Sequence, residues 1–587
     1  MSISEIKEYL SRGEDSEELG SKINDLVFQI TEHTATTIAP EAANELLNTI
    51  SEWILQHSSS KRLENLLKLI FVIYQNQGLS EEFNFLGMDE AEVKIAACPN
   101  LVSCILSLLN SVLKSNQAEK YMRILTLLLR ISAMIVQQKT VPNFFRRKGS
   151  LKMLIALYRN LVKASARSEG SIKILTLICE VMANMAVKNE KAREYLTRKA
   201  VIQASCALIT NPNYTSDNKL MSKALYLLGS TAGSSDQQLL IWVSGGISQA
   251  LQCVQNPKLS PSASFLLWRA CIDNEEIQQE IFSSNFHLQA LEAIRNGGDI
   301  EKITYLIGII RRIVVNAKFR DQLAGLVAEP LLLELKQLTR GEFSLPLKEI
   351  SAALGTISTD PAIAQIIVQA AGIEIITEVA LRNLTKSKLV KTCIGALVNL
   401  SLQEGMVDRI GNNLRFYELI RAIIASYPSS SYMMEYTLRL ILNALQSNNC
   451  LYHLSEVSFV TDLRNLFERW QNEEDLLLYV LYIFRSLVSH KKGIEAFSEA
   501  IPEGFIDQLL GVFQHYISNV KVLTEIILLI SALSQQEGIF LDTLKRSDML
   551  STRIKECLEI HSKDQNKTML LTECIANLPV EELNIII

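Results

Sequence analysis

The chain has 587 residues, of which 48% are hydrophobic, 21% charged and 7% aromatic, with only 24 Gly and 12 Pro. This composition excludes disordered, collagen-like and low-complexity classes. A net charge of −5 supplies no global field that would draw the chain to nucleic acid or to an anionic membrane.

The opening stretch, MSISEIKEYLSRGEDSEE, is polar and acidic. It lacks the basic and apolar regions of a secretory signal. No run approaches about 18 apolar residues without a charge, so no membrane-spanning helix is expected. The ten Cys (98, 104, 179, 206, 253, 271, 393, 450, 557 and 574) are scattered, with no CxxC pair. They fit small core residues in a reducing compartment, not a disulfide framework or a zinc site. The expectation is a cytoplasmic protein with no metal and no other cofactor.

Residues 1–115 predict a helical N-terminal cap with degenerate repeats, one of them centred near Val72 in FVIYQNQGLSEEF. Residues 116–587 predict a regular array. The stretches beginning at Glu180 (EVMANMAVKNEKAREYL), Cys393 (CIGALVNLSLQEGMVDRI), Leu438 (LRLILNALQSNNCLYHL) and Leu529 (LISALSQQEGIFLDTL) share one form. Each is an apolar helical stretch, a polar break and a second helical stretch. Aligning them gives a ladder of equivalent positions: Ala133, Asn184, Ser230, Arg269, Arg311, Thr356, Asn399, Asn443, Ser486, Ala532 and Asn577. Successive rungs lie 39 to 51 residues apart, a rhythm that unrelated domains would not keep.

A second landmark lies sixteen residues after each rung: Gly149, Ala200, Gly246, Asn285, Val327, Gly372, Arg415, Phe459, Pro502 and Asp548. Glycine at 149, 246 and 372 predicts a sharp interhelical turn that uses positive φ. Between landmarks the apolar positions recur at three and four, and hairpin signals are nearly absent. The fold class is therefore all-α.

On these motifs the chain resembles the armadillo family, closest in LVNLSLQEG (Leu397–Gly405) and LIWVSGGISQALQ (Leu240–Gln252). The resemblance covers about residues 116–587. HEAT-like units stay open locally, since only four of eleven rungs are Asn. It implies a right-handed α-solenoid of about 10–12 three-helix repeats, forming one continuous array, in which stacked neighbours bury what one repeat cannot.

Catalytic motifs are absent: there is no GxxxxGK[ST], GxGxxG, HExxH or GxSxG. The segment Gly229–Gly233 has Thr in the central place and falls where a helix should end. The seven His are isolated, which gives no metal-ligand spacing. The expectation is a protein that is not an enzyme.

Two features point to partners. By the resemblance, rung residues face a groove, where Asn184, Asn399, Asn443 and Asn577 would bond the backbone of an extended peptide. The competing reading is that these Asn bond neighbouring helices. Nuclear-import adaptors of the family pair the Asn with a Trp one turn earlier. Here those positions include Tyr226, Phe265 and Tyr482 but no Trp, which disfavours that role. Arg269 and Arg311 occupy successive rungs, with Arg312 beside the second, and together could grip a carboxylate.

The second feature is charge segregation. Residues 1–118 hold 8 Lys and Arg against 17 Asp and Glu, net −9. Residues 119–199 hold 17 against 5, net +12. This basic zone includes Arg146, Arg147, Lys148, Lys152, Arg159, Lys163, Arg193, Arg198 and Lys199. It suits an acidic protein surface, or it packs against the acidic N-terminal segment. Nucleic acid is the weakest target, because aromatic interleaving is absent. The expected function is a non-catalytic interaction scaffold, with a cytoskeletal (tubulin) or ciliary setting. The alternative, again by resemblance, is a regulator of a small GTPase.

Overall fold

The computed structural model describes residues 3–12, 17–32, 40–56, 62–76, 99–114, 122–137, 141–147, 149–164, 168–187, 189–339, 341, 343–403, 405–502, 504–534, 548–561 and 564–575. Every regular element among them is an α-helix. The chain divides into two compact units, Met1–Ile313 and Val314–Ile587.

In the first unit, helices Glu17–Glu32, Leu63–Asn76, Met122–Ile135, Glu169–Val187, Asn218–Thr231 and Ser260–Ala270 pack one on the next in chain order. A second row runs alongside: Ile3–Ser11, Pro40–Gln56, Pro99–Lys114, Ser150–Ala164, Val201–Thr210 and Gly246–Cys253. Each member touches the first-row helix that follows it in the chain. The N-terminal 115 residues thus contribute layers of the same kind as the regular repeats. The rungs Ala133, Asn184, Ser230 and Arg269 all fall near the C-terminal ends of first-row helices, as does Arg311 in Ile300–Val315.

The second unit repeats the plan. Helices Ser344–Ile357, Ser387–Ser401, Ser431–Ala444, Glu474–Val488, Val520–Ser534 and Gln565–Ile575 pack in series and carry rungs Thr356, Asn399, Asn443, Ser486 and Ala532. Asn577 lies outside the described residues.

A first-row helix is sandwiched on several sides, so it is apolar nearly all round. In Glu169–Val187 every residue from Ile174 to Ala186 is buried. Among the described residues this single helix is long and apolar enough, by length and composition, to cross a bilayer, but 72% of that stretch is buried inside the fold. After three of the rungs the polar break supplies an Asn N-cap. Asn189 accepts from the Ala192 N–H, Asn274 from Ile277 and Asn316 from Lys318, each five residues after its rung. Each such cap contributes about 1 kcal/mol.

The second landmark needs correction at three places. Gly149 does have φ of 80°, but at the next glycine-marked turns the positive angles sit one residue earlier, at Gly245 (78°) and Ala371 (59°). Gly246 and Gly372 serve close packing instead. A Cβ on Gly372 would lie 2.4 Å from Ile367 Cγ2 and 2.7 Å from the Ile367 carbonyl oxygen; one on Gly246 would lie 2.7 Å from Ile241 Cγ2. The helices Pro361–Gln369 and Gly372–Arg382 meet there at 72°. At Val327 there is no turn at all: a single helix, Ala317–Leu338, runs through the position and through Pro330.

That long helix buries Glu334, whose carboxyl is pushed above the ordinary carboxylate range by desolvation. The folded state therefore holds this proton more tightly than the unfolded chain does. Its contribution to stability falls as pH rises through the carboxylate range. Glu334→Gln is expected to raise the melting temperature at pH 7, with the gain shrinking towards pH 4. A gain independent of pH would mean that ionisation is not the cause.

Candidate partner-binding groove of the first unit

Helices Glu169–Val187, Asn218–Thr231, Ser260–Ala270 and Ile300–Val315 bring together side chains from four repeats. Asn184 is buried, and its Nδ2 donates to the Ala133 carbonyl at 2.9 Å, tying one rung to the preceding one. In the second unit Asn399 Nδ2 donates to the Gly355 carbonyl at 2.7 Å, and Asn443 Nδ2 to Ser401 Oγ at 2.9 Å. At all three described Asn rungs the amide thus bonds the neighbouring repeat. Each such bond contributes about 1 kcal/mol.

One turn before the Asn184 rung, Glu180 forms an ion pair with Lys223 at 2.9 Å, with side chains only 6% and 15% exposed. Beside it stand aromatic rings from three repeats. Tyr226 stacks on Phe265 with centroids 4.8 Å apart, Phe265 meets Tyr305 at 5.2 Å, and Trp268 stacks on Tyr305 at 5.4 Å. Glycines in the preceding or following helix make room for these rings. A Cβ on Gly229 would lie 2.6 Å from Phe265, and one on Gly308 would lie 2.3 Å from Trp268. The sequence pattern marked Tyr226 and Phe265 but missed Trp268 and Tyr305, which sit at other offsets from their rungs. Burial pushes both the Tyr226 and Tyr305 phenols up, and the nearby Glu301 carboxylate adds to this. Tyr305 Oη donates to Glu301. Both phenols stay neutral and serve as hydrogen-bonding groups.

Glu180, Asn184, Tyr226, Phe265, Glu301 and Tyr305 line a cavity of about 460 Å³ together with Lys219, Lys223 and Lys258. Lysines beside aromatic walls suit an extended segment carrying acidic and apolar side chains.

One turn beyond Phe265 on the same helix is Arg269, which the Arg193 and Arg312 charges both reach. Arg269 and Arg312 are half-buried, and among the described residues neither guanidinium has an ion pair or a hydrogen bond. Burial, followed by the charges of Arg193 and Arg312, holds Arg269 below its ordinary range. Arg311 shares the helix with Arg312 and is also half-buried.

Arg193, expected within the basic zone, points elsewhere. Its Nη1 donates to the Ala186 and Val187 carbonyls at 2.8 and 3.2 Å, capping the C-terminus of the Asn184 helix. A cation there is favoured by the helix dipole. The position nine residues after a rung repeats this role: Gln278 donates to the Cys271 carbonyl, and Arg320 to those of Val314 and Val315. Spacing alone could have marked this register.

The rest of the basic zone does not form one patch by paired geometry. Arg198 pairs with Glu194, and Lys199 lies over the Tyr195 ring. Arg146 is half-buried. Lys152, Arg159 and Lys163 are exposed along one face of Ser150–Ala164. The Arg147 side chain and Lys148 lie outside the described residues, as does much of the acidic N-terminal stretch.

A helical-repeat stack with a polar and aromatic recess on its first row is the class of protein these features define. No protein-family model matches the chain, and no curated protein matches it. Solved structures do. An engineered protein aligns with a TM-score of 0.54 at 15% identity, covering 74% of this chain and 100% of that one. A chain from a structure concerned with the phosphorylation switch in the interaction between cadherin and β-catenin aligns with a TM-score of 0.54 at 13% identity. It covers 86% of this chain and 96% of that one. Both likenesses concern the fold alone, an all-α solenoid of helical repeats.

Proposed function

We propose that the protein is a non-catalytic scaffold that holds an extended acidic segment of a partner protein along the first-row helices of its first unit. The observation that carries this reading is the recess itself. It combines Lys219, Lys258 and the Glu180-held Lys223 with the rings of Tyr226, Phe265 and Tyr305. The exposed stripe Lys152, Arg159 and Lys163 supplies a second, weaker docking surface for the same partner. A cytoplasmic cytoskeletal or ciliary assembly, with its glutamate-rich tails, is the proposed setting, supported by charge alone.

The test is fluorescence anisotropy with a labelled Glu-rich peptide containing one Tyr. Lys219→Glu with Lys258→Glu is expected to weaken binding by about tenfold or more at low salt. Lys152→Glu with Arg159→Glu is expected to change mainly the salt dependence. Equal binding by the first double variant and the parent chain would refute the groove reading.

A further inference from the structure

The helix Ala317–Leu338 in the second unit runs unbroken through Val327. In the next repeat the equivalent stretch is broken, and Pro361–Gln369 meets Gly372–Arg382 at 72°. A bend of that size sends the residues before and after it onto different faces. The unbroken helix keeps them in line. Leu326, Glu329, Leu333 and Lys336 follow one another at spacings of three, four and three, which is one face of a helix.

Leu326 and Leu333 are each 49% exposed on that face. A single exposed leucine is ordinary. Here the stripe borders a concavity. Leu333 lines a cavity of about 580 Å³ together with Leu332, Ala370, Ala371 and Ile375. This falls in the range of binding pockets, about 300–1,000 Å³.

The charges around the cavity are ordered. Glu378 is held by Arg382 and by Arg415. Glu329, Glu374 and Lys336 also line the cavity, are exposed, and have no ion pair among the described residues. Glu329 and Glu374 each stand two residues after a landmark, Val327 and Gly372, so the repeat register sets them side by side. Lys336 lies two turns beyond Glu329, about 10 Å along the helix. The open charges are thus two carboxylates at one end and one ammonium at the other.

The lining also selects the backbone of an occupant. It contains neither Asn nor Gln, and the Thr339 hydroxyl already donates to the Leu335 carbonyl. An extended segment buried here would lose water from its N–H and C=O groups and find few replacements. A helix satisfies those groups itself and presents apolar side chains at the spacing of the leucine stripe.

We propose that this groove docks an amphipathic α-helix of a partner protein, its apolar side chains packed against Leu326, Leu333 and Ile375. The docked helix runs antiparallel to Ala317–Leu338. Helices favour acids in the first turn and bases in the last. In that direction the basic end meets Glu329 and Glu374, and the acidic end meets Lys336. The surface lies within the second unit and does not rest on the recess of the first.

The test is fluorescence anisotropy of the full chain with a labelled, helix-stapled peptide about four turns long. The peptide has leucines three and four apart on one face, Asp in its first turn and Lys in its last. Leu326→Glu/Leu333→Glu is expected to weaken binding about tenfold or more. The variant should melt like the parent chain, since both side chains are exposed. A peptide with the Asp and Lys ends exchanged is expected to bind the parent chain several-fold more weakly, and Glu329→Lys/Glu374→Lys should invert that preference. The exchange of peptide ends needs no variant, so it decides the matter even if the double Glu chain folds poorly. Lys219→Glu/Lys258→Glu should leave this binding unchanged.

Failure of the parent chain to bind the stapled peptide would overturn the proposal. So would equal binding by the Leu326→Glu/Leu333→Glu chain, or equal binding of the two charge orders. An unstapled peptide of the same composition with a central Pro that bound as tightly would overturn the helical occupant. Sedimentation velocity tests a second copy as the occupant. A parent dimer that Leu333→Glu dissolves would assign the groove to self-association and overturn the partner helix.

Discussion

Gly493→Ala is expected to lower the melting temperature of the second unit sharply, with a loss of about 3 kcal/mol or more. Gly493 sits in the first turn of Lys491–Ala500, and a Cβ there would lie 2.0 Å from the Leu487 carbonyl oxygen. That oxygen belongs to the end of Glu474–Val488, the helix that carries the Ser486 rung. Backbone cannot step aside as a flexible side chain can, so the two helices must separate. Gly372→Ala should act in the same direction, since Ile367 Cγ2 and its carbonyl oxygen both stand in the way.

Ala371→Gly is the informative control. Ala371 holds φ of 59°, a left-handed angle that costs an L-residue about 1–2 kcal/mol. Glycine removes that strain but adds flexibility to the unfolded chain, costing about 0.5–1 kcal/mol in return. The expected outcome is a small gain or no change. Differential scanning calorimetry of the three variants decides the matter. A harmless Gly372→Ala would show that Ile367 gives way to a Cβ and that close approach does not require glycine there, and a destabilising Ala371→Gly would show that the left-handed angle at 371 is not a source of strain.

This one-residue offset shows what the sequence could and could not convey. A glycine at a helix junction has two uses, positive φ and close approach, and both leave the same letter in the sequence. The ladder was legible because a stacked repeat must present one apolar face every 44 residues or so, and that requirement holds whatever lies on the outside. The fused helix Ala317–Leu338 was not legible, because Val327 and Pro330 keep the apolar spacing while the turn disappears. The arginines at Arg269 and Arg312 could be found by register. Trp268 and Tyr305 could not. Their rings reach the aromatic stack because glycines 229 and 308 thin the neighbouring helices, a property of the packed pair and not of either segment.

Glu180→Ala is expected to cost the first unit about 3–5 kcal/mol, because it leaves Lys223 charged and mostly buried without its carboxylate. The double variant Glu180→Leu/Lys223→Met is expected to recover most of that loss. Two well-packed apolar side chains of similar size avoid the desolvation that the ions must overcome. Thermal unfolding of the single and double variants measures both effects, and a double variant as unstable as Glu180→Ala would show that other partners of these residues dominate. The pair also lines the recess that the stacked rings wall. If the double variant recovers stability yet loses affinity for the Glu-rich peptide, the ion pair is not there to hold the fold. Its burden on stability then buys a cation positioned in the groove, with Glu180 fixing where that cation sits. Stability and binding separate at this one position, because the same Lys223 that weakens the core when unpaired is the charge an acidic segment would meet.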